Sequence, residues 1–139
     1  LLIGESTAER VKTKIGSAME DSDHRQMQIK GRDVTEGMSR SIVIGSDEIY
    51  VAINDALQRI VRAIRETLEN TPPELSADIF ERGMVIAGGG ALLRDMDRRL
   101  MQETGLPVVV AEDPLTCVAR GCGRALEEIA VLGDVFASE

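Results

Sequence analysis

Residues 84–100 read "MVIAGGGALLRDMDRRL": an apolar run, three consecutive glycines, and then a charged stretch with helical spacing. Glycines directly after a strand let another molecule approach the backbone and turn the first amides of the following helix outward. The stretch therefore has the layout of a nucleotide site, yet neither phosphate fingerprint fits. No Gly-Lys-Ser/Thr follows, which excludes a P-loop, and G-x-G-x-x-G needs glycine at position 93, where Leu93 stands. On the motif alone a tight turn and a ligand contact both stay open. A nucleoside lying against the backbone suits these residues better than a phosphate cradle.

The surroundings of this stretch predict an α/β layer. Met84 to Ala87 form an apolar strand, a helix follows over about 91–103, Gly105 and Pro107 break it, and "PVVVA" is a β-branched strand. In "AEDPLTCVARGCGRALEEI" Asp113 caps a helix whose first position is Pro114. Strand, helix, strand, helix implies parallel pairing. Before it, Ile49, Ile53, Ala56, Leu57, Ile60, Val61, Ile64 and Leu68 fall on one stripe of a helix of roughly twenty residues, read as a core face. Asn70-Thr71-Pro72-Pro73 stops that helix, and a short polar helix, "ELSADIFERG", comes next. At the start, "GESTAERVKTKIGSA" pairs Ser6 with Glu9 as a capping box and ends at Gly16. Residues 26–45 alternate polar and apolar around Gly31 and Gly37, giving two or three short strands. The expected organisation is a small α+β unit, 1–45, followed by a larger α/β unit.

Composition limits the function classes. The chain has 139 residues with 43% hydrophobic, enough for a core, but only 2% aromatic, so little is available to stack on bases. A net charge of −8 argues against nucleic acid as the main ligand. No apolar run is long enough to span a membrane. The opening has no Met and no signal-peptide layout, which reads as an internal start in a piece of something longer. Cys117 and Cys122 share one predicted helix and fit neither a disulfide framework nor C-x-x-C metal spacing, which points to reduced thiols in a cytosolic protein.

Other candidates are weaker. Glu9 and Lys12, at i and i+3, can face one cleft, where an acid suits ribose hydroxyls and a lysine lies along a purine or pairs with an anion; a solvated surface pair has the same spacing. Asp21 and Asp23 begin a stretch that fails as a calcium loop, with Gln26 at its sixth position and Arg32 at its twelfth. His24 is the only histidine, so no histidine triad or multi-histidine metal site exists, and it reads as a surface loop residue. The six methionines have no common spacing and read as core filling or exposed residues. Arg94, Asp95, Asp97, Arg98 and Arg99 read as a solvated face, or as a partner contact in an assembling protein.

Taken together, "GESTAERVKTKIGSA", "MVIAGGGALLRDMDRRL" and "TGLPVVVAEDPLTCVARGCGRALEEI" resemble the MreB family of bacterial actin homologues, in the right order and over nearly the whole chain. The resemblance implies part of an actin-like ATPase fold (ribonuclease H-like half). Residues 1–45 would be its small tip subdomain, 46–112 most of the larger subdomain, and 113–139 a helix crossing back to the other half. It implies that Gly88, Gly89, Gly90, Ala91 and Leu92 lie against a nucleoside, with Glu9, Arg10, Val11 and Lys12 on the opposite wall and Glu9 and Lys12 supplying the side chains. ATP, with Mg²⁺ in the longer protein, is the implied cofactor. Phosphate hairpins and catalytic acids belong to a half not contained here, so this chain alone is expected to be inactive. Further implications are self-association into filaments, a membrane-anchored adaptor, the cell-wall elongation machinery, and a cytoplasmic location at the inner face of the cell membrane. A sugar kinase or chaperone of the same fold, and a nucleotide-free scaffold, are the alternatives. Cys122 departs from the small residues usual at its place. Leading strands absent from the sheet are expected to leave an exposed edge.

Overall fold

A computed structural model describes residues 1–128; residues 129–139, the last part of the expected crossing helix, lie outside them. Helix α1 (Glu5–Ile15) starts at Gly4, whose carbonyl accepts the amides of Thr7 and Ala8, both at 3.0 Å. The expected Ser6–Glu9 capping box does not form, because both residues lie inside the helix and the Glu9 carboxylate is 2.7 Å from the Lys12 ammonium. Two strands follow, not three. β1 (Gln26–Arg32) and β2 (Ser39–Gly45) pair antiparallel, with Gly31 inside β1 opposite Arg40 and only Gly37, at φ +70°, in the turn.

Helix α2 (Ser46–Glu69) is 24 residues long and stops at Asn70, before the two prolines; α3 (Pro73–Arg82) begins on the second of them. Strands β3 (Met84–Ile86) and β4 (Val108–Val110) pair in parallel, as the element order requires, and α4 (Met96–Thr104) connects them. Gly83 enters β3 at φ +79°, where a Cβ would stand 2.3 Å from the Pro107 carbonyl oxygen, so only glycine fits. Helix α5 (Cys117–Glu127) carries both cysteines, which are free.

Two helix starts differ from expectation, and beside each a carbonyl accepts an amide distant in sequence. Residues 91–95 do not extend α4. Gly89–Leu92 form a 3-10 turn, Leu93 is extended, and Asp95 is left-handed at φ 58°. A residue in that conformation cannot lie within a right-handed helix, and the Arg94 carbonyl just before it accepts the Ala18 amide at 2.8 Å. Likewise α5 begins at Cys117 rather than Pro114, and the Pro114 carbonyl accepts the Gly88 amide at 2.7 Å. Residues 113–116 form a turn closed by the Thr116 amide on the Asp113 carbonyl, 2.9 Å, with Pro114 at its second position.

The apolar side chains gather in two clusters. Val11, Ile15, Ile29 and Ile44 fill the first, between α1 and the hairpin, with Ile49 of α2 against it. Ala18, Leu57, Val61, Met96, Leu100 and Val108 fill the second, between α2, α4 and the parallel pair. The stripe on α2 is wider than the core that covers it: Leu57 and Val61 are buried, whereas Ala56 and Ile60 are exposed. Leu100→Ala, which truncates the largest fully buried side chain of the second cluster, should destabilise the protein by about 2–5 kcal/mol in urea unfolding. Val51→Ala, on the exposed face of α2, should change the midpoint by less than about 0.5 kcal/mol.

Candidate functional site

In a parallel sheet, the segments leaving the carboxyl ends of neighbouring strands emerge side by side, which is where open α/β sheets take ligands. Here those segments are the glycine turn after β3 and the 113–116 turn after β4, tied together by the Gly88–Pro114 hydrogen bond. Gly88 has φ +82°, a conformation that demands glycine. Gly89 and Gly90 do not have such angles. A Cβ on Gly89 would meet nothing closer than Leu115 Cδ2 at 3.5 Å, and one on Gly90 nothing within 4 Å. Neither the backbone nor any neighbouring residue explains why both lack side chains; the bare backbone they present borders open space.

That space is a groove of about 330 Å³. Glu9, Lys12 and Thr13 of α1 line one side, Gly89, Gly90, Leu92 and Leu93 the opposite side, with Leu57 and Ile60 of α2, Met96 of α4, and Leu115 completing it. Its walls are mostly apolar. The polar groups are concentrated on α1, where Glu9 and Lys12 are paired yet still half exposed. A flat apolar ligand edged with hydroxyls matches this lining, with the apolar walls covering its faces and the Glu9 carboxylate accepting from hydroxyl groups.

Five of the nine residues singled out from the sequence, Glu9, Lys12, Gly89, Gly90 and Leu92, thus meet in one groove. Gly88 and Ala91 belong to the same turn without lining it: Gly88 sets the backbone path and Ala91 is buried beneath. Arg10 is exposed and outside the lining. Val11 points the other way, into the first apolar cluster, because adjacent residues on a helix cannot share a face. Leu57, Ile60, Thr13, Leu93, Met96 and Leu115 were missed. Leu57 and Ile60 carry the same apolar spacing as core residues, and Leu115 joins the groove only through parallel strand pairing.

The charged stretch 94–99 is not a simple solvated face. The Asp95 carboxylate accepts from the hydroxyls of Ser22 and Ser17, and Ser17 is 1% exposed. Ser17 forms a parallel bridge with Arg94, and Arg94 Nη2 donates to the Ile15 carbonyl at the end of α1, 3.5 Å. Arg98 pairs with Asp21, and Arg99 with Glu103 at 3.2 Å and the Tyr50 hydroxyl at 3.2 Å. His24, as expected, is an exposed loop residue, 3.9 Å from Asp47. Among the described residues no cluster of His, Cys, Asp or Glu is arranged to hold a metal, and no helix is long and apolar enough to cross a membrane.

Comparison with known proteins places this architecture among the actin-like ATPases. Two crystal structures of MreB5 of Spiroplasma citri superpose with a TM-score of 0.87 each: the ADP-bound form at 38% identity over 99% of this chain and 41% of that one, and the AMPPNP-bound form at 40% over 94% and 39%. The sequence profile of the family described as "MreB/Mbl protein" matches residues 1–134. The cell shape-determining protein MreB of Escherichia coli (strain K12) is 56% identical over 99% of this chain and 40% of its own length; Mbl of Bacillus subtilis (strain 168) is 46% identical over 93% and 39%. The chain belongs to the MreB/Mbl family and spans about two fifths of the length of these relatives.

Asp95 makes part of this junction dependent on pH. The Ser22 hydroxyl, then that of Ser17 and the charges of Arg98 and Arg94, hold its carboxyl below the usual aspartate range, with burial opposing them. A carboxyl whose pKa is lowered by folding stabilises the fold above its unfolded-state pKa of about 3.9. That contribution is lost as pH falls through the lower, folded-state value. The stability deficit of Asp95→Asn in urea should therefore be largest near neutral pH and shrink as pH falls below about 4.

Proposed function

We propose that this chain supplies one side of the nucleotide cleft of an ATP-binding, filament-forming cytoskeletal protein that sets rod shape by guiding cell-wall synthesis. The observation that carries the reading is the groove itself: an apolar slot with a charged pair on α1 facing two glycines whose missing side chains leave it open. Further support comes from family membership and from the nucleotides bound by the two Spiroplasma relatives.

In this proposal the nucleoside of ATP occupies the groove. Glu9 accepts from the ribose hydroxyls, Lys12 lies along the base or pairs with an anion, and the Gly88–Gly89–Gly90–Ala91–Leu92 turn offers backbone to the other face. When bound, ATP supplies a hydrolysable phosphate chain, and its Mg²⁺ and catalytic groups come from the rest of the longer protein. Residues 1–45 act as the tip subdomain, 46–112 as the larger subdomain and 113–139 as the crossing helix. Two apolar clusters centred on the first two of these spans support that division. The longer protein associates with further copies of itself, with a membrane-anchored adaptor and with the wall-elongation machinery, in the cytoplasm at the inner face of the membrane.

Two substitutions in the full-length protein test the site. Gly89→Glu should abolish measurable ATP binding by filling the slot, and Glu9→Ala should weaken it by about 1.5–3 kcal/mol, the value of a charged hydrogen bond. Unchanged ATP affinity in both variants would contradict the assignment. Light scattering with pelleting should give ATP–Mg²⁺-dependent polymer; a protein that binds ATP and stays monomeric would instead match the kinase or chaperone relatives of the fold.

A further inference from the structure

The two sides of the groove belong to segments some eighty residues apart, and they meet at one place outside it. Helix α1 ends at Ile15, one turn beyond Lys12, and the glycine turn ends at Leu93. Immediately past these ends, Ser17 and Ala18 lie along Arg94, with the Ala18 amide on the Arg94 carbonyl at 2.8 Å. Asp95, in the left-handed conformation at φ 58°, reaches across to both Ser17 and Ser22.

A non-glycine residue at positive φ costs free energy and persists only where its surroundings hold it. The side chain of Asp95 supplies that hold. Its two hydroxyl partners lie on the loop that leaves α1, and the Ser17 hydroxyl also accepts the Met19 amide at 3.2 Å, which fixes the loop. Arg94, whose Nε and Nη1 are buried without a hydrogen-bond partner among the described residues, places its cationic head at the carboxyl end of α1, where the helix dipole favours it.

We propose that Asp95 is a positioning residue for nucleotide binding: by holding Ser17 and Ser22 it sets the distance and angle between α1, with Glu9 and Lys12, and the glycine turn. It is not among the residues that line the groove. The inference rests on the nucleoside reading above, and its mechanism differs from that of a core residue. Loss of Asp95 loosens the spacing of two walls without removing a ligand contact, and a site held loosely loses affinity although every contacting group is present.

The test is ATP–Mg²⁺ affinity of the full-length protein by calorimetric titration, alongside the thermal midpoint without nucleotide. Asp95→Ala and Ser22→Ala should each weaken binding, by about tenfold for Asp95→Ala. The double variant should be no weaker than Asp95→Ala, since Ser22 reaches the glycine-turn side through that carboxylate, and its other partner, the Ser17 hydroxyl, lies on the same loop as Ser22. Ser22→Thr, which keeps the hydroxyl, should bind like the parent. Val61→Ala, in the second cluster, should lower the midpoint at least as far as Asp95→Ala and leave affinity within about twofold. Gly89→Glu separates the two claims. If it abolishes binding while Asp95→Ala binds like the parent, the positioning role is wrong and the nucleoside site stands; if it too binds like the parent, the site assignment fails and the positioning role with it. Equal weakening in Asp95→Ala and Val61→Ala would reduce Asp95 to a contributor to stability and overturn the proposal.

Discussion

The backbone of Ser17 and Ala18 lies against that of Arg94, and most of what makes this chain interesting depends on that contact. It joins the end of the first helix to the end of the glycine turn, residues far apart in sequence, with one amide-to-carbonyl bond and an aspartate shared by two serines. Because Asp95, beside this contact, is held in the left-handed conformation, the helix that a charged, periodic stretch would otherwise begin near Ala91 is delayed to Met96. The delay leaves Gly89–Leu92 as a separate 3-10 turn with its backbone toward the groove. A long-range contact thereby shapes one side of the groove.

The same contact joins the two apolar clusters. Ile15 belongs to the first and Ala18 to the second, three residues apart across the stitched segment, and α2 spans both with Ile49 at one end and Leu57 and Val61 further along. Neither cluster is large. The groove lies beside their junction, with Leu57 buried beneath it and Ile60, 42% exposed, at its edge. Apolar surface left open at such a junction is what a ligand with a flat, hydrophobic base can cover.

Much of this was legible in the residues. Period and punctuation located the α-helices and strands of the described residues, though not the 3-10 turn Gly89–Leu92, because Gly, Pro and apolar spacing act locally. The glycine turn and the Glu9–Lys12 pair were readable as two halves of a site, and the family resemblance joined them. What could not be read were features set by partners distant in sequence or by a competing local pair. The surroundings of the α4 and α5 starts and the structural use of Asp95 are of the first kind; the failed capping box at Ser6, where Glu9 pairs with Lys12, is of the second. Val11 illustrates a second limit: a matched stretch of helix names four consecutive residues, but a helix presents only some of them to any one neighbour. Leu115 illustrates a third, since its place in the groove follows from strand pairing and from nothing in its own surroundings.

The central claim, that α1 and the glycine turn form opposite sides of one nucleoside site, is tested most directly by amide hydrogen exchange on the full-length protein with and without ATP–Mg²⁺. Bound nucleotide should slow exchange by about tenfold or more in both segments, over 9–13 and 88–93, together with the joining segment 17–22. Slowing confined to residues outside these three segments, with all of them exchanging as in the free protein, would contradict it.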